Sequence, residues 1–244
     1  GSTDVPIAGR KWDKVPVLED YSVIPDESFW VNFPSRELPT IAESKISTEF
    51  LEAKKDDIRN NLTSTQILRA ERAIEYLRSG APSFQMSSLG ACFVKNSPHT
   101  LRHGAAVTDN VATWIDKGFA AGPFSAPPCE NFRVNPLLAV VQPDKVRPVL
   151  NVSLPEGKSY NSNIDQFALE KVRMSSAQQF GHALLKCGRN ANMSKFDLVA
   201  AYKQIPCKVA DLRLQGFMWC GKFFAETRLC LLYTSDAADD LTRV

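Results

Sequence analysis

The sequence predicts an α+β chain, and three observations carry that prediction. Apolar residues recur at helical spacing over about 41–60, 64–79 and 108–118, and again over 167–187. Hairpin patterns occupy 134–152 and 214–224. Strands follow one another as hairpins rather than alternating with helices in βαβ units, and no internal repeat is visible. The 244 residues, 44% apolar and 23% charged, suffice for one large or two small globular domains with a sizeable core.

Each element follows from local chemistry. Residues 1–40 are rich in Pro and acidic groups with isolated aromatics (Trp12, Phe29, Trp30), hold no period, and read as an extended leader. After the helix over 41–60, a second starts near Ser64, presents Ile67, Leu68, Ile74 and Leu77 as an apolar stripe, and stops at Gly80-Ala81-Pro82. That stripe reads as core or as a partner-facing surface. Residues 81–104 look like a connector. A further helix is expected with Thr108 or Asp109 as N-cap, burying Val111, Trp114 and Ile115 and ending at Gly118. A loop from Gly122 to Pro128 follows. Val134–Gln142 and Val146–Val152 read as strands joined at Pro143-Asp144-Lys145. The helix over 167–187 is anchored by Leu169, Val172, Phe180 and Leu184. Asn192–Leu198 reads as a strand, Ala200–Ile205 as a short helix, and Leu214–Trp219 with Lys222–Phe224 as a hairpin about Cys220-Gly221.

Composition narrows the function. No basic segment leads into an apolar one at the N-terminus and no apolar run would span a bilayer, so an intracellular location, cytoplasmic or nuclear, is expected. Cysteines 92, 129, 187, 207, 220 and 230 form no C-x-x-C pair, and His99, His103 and His182 complete no zinc pattern. They read as free thiols in a reducing compartment. The net charge of +2 hides an asymmetry: residues 133–229 hold 14 Lys/Arg against 7 Asp/Glu, and residues 1–132 hold 14 against 17. A basic half suits a phosphate backbone, although solvated surface lysines give the same count.

The stretch Ser194-Lys-Phe-Asp-Leu-Val-Ala-Ala-Tyr-Lys-Gln-Ile-Pro206 sets Asp197 among apolar and small residues. A carboxylate there is costly to desolvate unless a cation or donor offsets it. Asp197 is thus a candidate ligand for a hard cation such as Mg²⁺, and equally a strand-end aspartate capping the next helix.

Lys145-Val-Arg-Pro-Val-Leu-Asn-Val-Ser153, then Asn161, the Asp197 stretch and Leu214-Gln-Gly-Phe-Met-Trp219 occur in the order seen in reverse transcriptases. From about Val107 to Leu229 the chain resembles the fingers and palm of retroelement RNA-directed DNA polymerases, particularly those of LTR and tyrosine-recombinase elements. The resemblance implies a helical N-terminal region (1–104), then fingers and a partial palm of the right-hand polymerase fold without a thumb (105–229). It implies template-directed dNTP addition on an RNA template and DNA primer, with two Mg²⁺ ions in the complete enzyme. Asp197 takes the place of the first metal-binding aspartate, with the backbone carbonyl of Leu198 as a second oxygen. Lys145 and Arg147 take the place of triphosphate-binding cations, or are turn-flanking surface charges. The amides near Ala200 and Ala201 would lie beside the same triphosphate. Tyr202 matches the aromatic beneath the incoming sugar, where bulk excludes a ribose 2′-hydroxyl, or is a palm tyrosine without selective role. Gln215 and Gly216 resemble the strand beneath the template–primer, and Gly216 allows close backbone approach or marks a bulge. RNase H, recombinase or integrase domains are possible companions.

The resemblance stops at Leu229. A Tyr-x-Asp-Asp hairpin is needed downstream to complete the metal site. Asp239-Asp240 does not supply it, lying 42 residues after Asp197 in a polar stretch led by Ala237-Ala238. Cys230-Leu-Leu-Tyr-Thr-Ser-Asp-Ala-Ala-Asp239 resembles a reading frame of a transposon-end sequencing adapter, so 230–244 is expected not to be biological. On this reading the chain alone is expected to be inactive in primer extension. The competing readings are a non-catalytic nucleic-acid-binding relic and an RNA-dependent RNA polymerase. Tyr202 in the sugar-gate position weighs against the second.

Overall fold

The computed structural model describes residues 27–42, 44–143, 145–165, 176–189, 192–194 and 200–229. The strands are β1 (Cys92–Phe93), β2 (Ala120–Phe124), β3 (Arg133–Asn135), β4 (Leu137–Gln142), β5 (Lys145–Leu150), β6 (Gly216–Trp219) and β7 (Lys222–Glu226). The helices are α1 (Ser28–Val31), α2 (Thr48–Ile58), α3 (Ser64–Ser79), α4 (Pro98–Leu101), α5 (Gly104–Asp116) and α6 (Ala177–Cys187). Five strands form a mixed sheet in the order β1-β3-β6-β7-β2, while β4 and β5 pair as a separate antiparallel hairpin. This confirms the expected α+β class.

The sheet is covered on both faces, and the alternation along β6 and β7 shows why. Phe217, Trp219 and Phe224 point into the larger apolar cluster with Val107, Val111 and Ile115 of α5. Met218, Phe223 and Ala225 point into a second cluster with Phe93, Phe132 and Val134. Phe217 and Phe224 are register partners and stack with ring centroids 5.2 Å apart, a cross-strand aromatic pair of the kind that stabilises sheets. The β6–β7 turn puts Cys220 at φ 46° and Gly221 at φ 72°, the two left-handed positions of a two-residue hairpin loop.

Gly216 sits where β6 runs parallel to β3. A Cβ there would overlap the Phe132 ring and the Arg133 carbonyl, so the glycine is required by packing within the fold. Gly216→Ala is expected to destabilise the fold by about 1–3 kcal/mol through overpacking, measured as a lower urea midpoint at unchanged slope.

Several expectations need correction. Residues 28–31 belong to no extended leader: they form α1, which buries Trp30 against Phe224 at 5.0 Å between centroids. Residues 1–26 lie outside the described residues. The first long helix covers only Thr48–Ile58, because the Ser47 hydroxyl caps it by accepting from the Phe50 amide at 3.1 Å. The second begins and ends as expected, with a Thr63–Gln66 capping box, yet Leu68 is 55% exposed while Ile74 and Leu77 are buried.

The connector contains β1 and α4, since Cys92 and Phe93 pair with Arg133 and Val134. Helix α5 starts at Gly104, not after Thr108. The Thr108 hydroxyl is buried inside it, donating to the Gly104 carbonyl and accepting from Trp219 Nε1 at 2.8 Å. The expected loop after Gly122 begins as β2, an edge strand, where a proline is tolerated.

The strand read over Val134–Gln142 is split at Pro136. Asn135 turns its carboxamide into the sheet, donating to the carbonyls of Leu214 and Gly216, and the chain then leaves for the hairpin. Leu214 ends a 3-10 helix, Val209–Leu214, rather than opening a strand. Phe180 on α6 is 59% exposed rather than an anchor, and Leu169 and Val172 lie outside the described residues. Residues 192–194 are not strand, and 195–199 lie outside the described residues.

Trp30 enters the larger cluster and Phe93 the smaller one on the opposite face of the sheet, and Ala81 bridges Cys207. No helix among the described residues is long and apolar enough to cross a membrane.

Candidate functional site

The β4–β5 hairpin pairs Gln142 with Lys145 and Val140 with Arg147. Lys145 and Arg147 are two residues apart, so they share one face, and both are exposed. Val146 between them faces inward and packs against the larger cluster. Its carbonyl accepts from Asn110 Nδ2 of α5 at 3.3 Å. The two cations therefore stand on a strand whose other face is tied to α5.

Ala200 and Ala201 belong to a tight turn. Ala200 adopts φ 50°, ψ 51°, a left-handed conformation that costs an L-residue about 1–2 kcal/mol. A 3-10 helix, Ala201–Gln204, follows, with the Lys203 amide bonded to the Ala200 carbonyl at 2.8 Å. The first amides of such a turn have no acceptor within it, and here they belong to exposed residues. Tyr202 is 41% exposed at the crest. Past the turn the chain is held along the segment after β7: the Leu229 amide donates to the Ile205 carbonyl and the Cys207 amide to the Thr227 carbonyl, each at 3.0 Å.

Lys203 fastens the turn from below. Its Nζ lies 2.6 Å from Glu226 Oε1 and 4.7 Å from the centre of the Trp114 ring. Glu226 ends β7 and is 1% exposed, on the α5 side of the sheet with Phe224. Asn110 and Trp114 are four residues apart, so they lie on one face of α5, about 6 Å apart along its axis. One helix face thus braces both the strand carrying Lys145 and Arg147 and the turn carrying Tyr202.

Gln215 and Gly216 sit deeper. Gln215 is 1% exposed, its Nε2 donates to Cys207 Sγ at 2.7 Å, and its carbonyl accepts from the Glu226 amide at 3.0 Å. Its side chain belongs to the interior beneath the turn, and Gly216 is buried as well, its carbonyl accepting from Asn135 Nδ2 at 3.0 Å and its open face closed by the Phe132 ring, so neither residue is exposed to a ligand. Asp197 and Leu198 lie outside the described residues. Among the described residues no three His, Cys, Asp or Glu side chains are grouped to hold a metal.

The sequence reading missed Asn110, Lys203 and Glu226, and took Trp114 for core alone. A signal existed for one of them. Glu226 is the sole acid in the run Lys222-Phe-Phe-Ala-Glu-Thr227, where burial demands a partner. That the partner is Lys203 requires the fold.

No family model and no curated protein matches this chain. Among solved structures it is similar to a foamy viral protease-reverse transcriptase in complex with double-stranded DNA, at 15% identity and TM-score 0.40, covering 88% of this chain and 38% of that one. It is similar to prototype foamy virus protease-reverse transcriptase at 15% identity and TM-score 0.38, covering 83% and 26%. A second foamy viral complex with double-stranded DNA gives 15% identity and TM-score 0.36, covering 84% and 44%. The chain thus spans less than half the length of each of these proteins, to which it bears a weak structural likeness.

Proposed function

We propose that this chain carries the nucleotide-receiving part of an RNA-directed DNA polymerase, acting on an RNA template and DNA primer. One observation supports this most strongly: a single face of α5 braces the exposed cation pair Lys145/Arg147 and the exposed Tyr202 turn. An incoming deoxynucleoside triphosphate needs cations for its phosphates and a shaped surface for its sugar.

In this reading Arg147 donates paired hydrogen bonds to phosphate oxygens, which its planar fork suits, and Lys145 adds a second positive charge. The amides beginning the Ala200–Gln204 turn face the same phosphates. Tyr202 limits the space at the sugar C2′ position, so a ribose 2′-hydroxyl clashes. Asp197 and the Leu198 carbonyl would offer oxygen ligands of the kind Mg²⁺ prefers. Mg²⁺ held there would supply charge stabilisation for nucleotidyl transfer.

Arg147→Ala is expected to weaken dTTP binding to the protein–template–primer complex by about 10–100-fold, the loss of a charge-assisted hydrogen bond. Arg147→Lys should recover part of that loss, because charge returns without the paired geometry. Isothermal titration with dTTP in Mg²⁺ reads both. Equal affinity in wild type and Arg147→Ala would remove the hairpin from the site.

A further inference from the structure

We infer that Glu226 is a positioning residue for nucleotide-sugar selection: through Lys203 and the Trp114 ring it fixes the height and tilt of the turn that presents Tyr202. The inference rests on the polymerase reading and extends it to residues outside the motif that suggested it.

Three observations meet at one ammonium group. Lys203 is adjacent to Tyr202 in a turn of four residues, so a shift of one backbone moves the other. Its Nζ is 2.6 Å from a carboxylate at the end of β7, a strand held between β6 and β2. The same Nζ lies over Trp114, whose ring packs edge-on to Phe217 with centroids 6.1 Å apart. Sheet and helix therefore meet the turn through one side chain that is itself only 17% exposed.

A surface lysine–glutamate pair contributes little and holds nothing in place, because water competes for both ions. Here the acid is 1% exposed and its second oxygen has no hydrogen-bond partner among the described residues. Lys203 is therefore the group that compensates the buried charge, and leaving would strand that charge. Such a constraint is strong in position, which a steric selection of sugars needs: a hydroxyl is accepted or refused according to displacements well under its own diameter.

The strained conformation of Ala200 points the same way. A left-handed alanine persists where surrounding contacts over-determine it. Downstream, Ile205 to Cys207 are fixed along 227–229, and the Lys203–Glu226 contact ties a side chain of the turn itself to the sheet.

The test uses the full chain on an RNA template–DNA primer in Mg²⁺, titrated with dTTP and with UTP opposite a templating adenine. Wild type is expected to prefer dTTP by at least ~10-fold. Glu226→Gln, and Lys203→Met combined with Glu226→Gln, are expected to lower that preference at least about fivefold while dTTP affinity falls less. Lys203→Arg, which keeps the charge near both partners, should retain most of the preference. The double variant leaves no buried charge uncompensated, so it remains folded where Lys203→Met alone does not, and circular dichroism checks this. A merely structural pair would weaken both nucleotides alike, and an unchanged dTTP/UTP ratio in a folded variant overturns the inference while leaving the polymerase reading intact. Absence of any dTTP preference in wild type overturns both.

Discussion

Asp197→Asn is expected to reduce Mg²⁺-dependent dTTP binding on a template–primer by at least ~100-fold, about 2.8 kcal/mol. The substitution keeps size and hydrogen-bonding capacity and removes the negative charge that a hard cation requires. Binding of RNA alone is expected to stay unchanged, because it draws on the surplus of Lys and Arg in 133–229 and should weaken with salt in both proteins. The two readouts separate a metal ligand from a structural residue. If Asp197 were only a helix cap, the mutant would lose stability and RNA binding together, and dTTP binding would keep its Mg²⁺ dependence.

The second large effect is on stability. Lys203→Met keeps an apolar stem over Trp114 but leaves Glu226, 1% exposed, without its cation. Removing one partner of a buried pair typically costs about 3–5 kcal/mol. Domains of this size are stable by roughly 5–15 kcal/mol, so the single mutant should be near unfolding at moderate urea concentration. Adding Glu226→Gln should restore most of the loss, since a neutral side chain does not carry the desolvation penalty of a carboxylate. Paired urea titrations of the two variants read this. Equal midpoints for wild type and Lys203→Met would mean that Glu226 finds another partner.

The legible parts of the fold are those fixed by neighbours in sequence. The hairpin β4–β5 follows from the turn chemistry between its strands, β6–β7 from Cys220-Gly221, and α3 from its apolar stripe and its stop at Gly80. The misread parts depend on partners far along the chain. Thr108 looks like a cap until Trp219 is found donating to it, 111 positions away. The strand around Gly122 looks like a loop because its proline and glycine obscure a pairing with β7 that only the sheet supplies. Trp30 reads in sequence as an isolated aromatic in a polar leader, and nothing local shows that it lies against Phe224.

The candidate site divides in the same way. Lys145, Arg147 and Tyr202 are visible as an ordered set of motifs, and all three are exposed. Gln215 is in the same motif yet faces the interior, because the two-residue period of the strand puts it on the α5 side with Phe217. The braces Asn110, Trp114 and Glu226 carry no motif, and their roles arise from distances between α5, β5 and β7.

The most direct test of the central claim is calorimetric titration of the wild-type chain, assembled with an RNA template and DNA primer, with dTTP in the presence and absence of Mg²⁺. Saturable binding that requires both Mg²⁺ and a templating adenine is the expected result. Salt-sensitive binding of the RNA–DNA duplex with no dTTP binding under either condition would contradict the claim and leave a nucleic-acid-binding module.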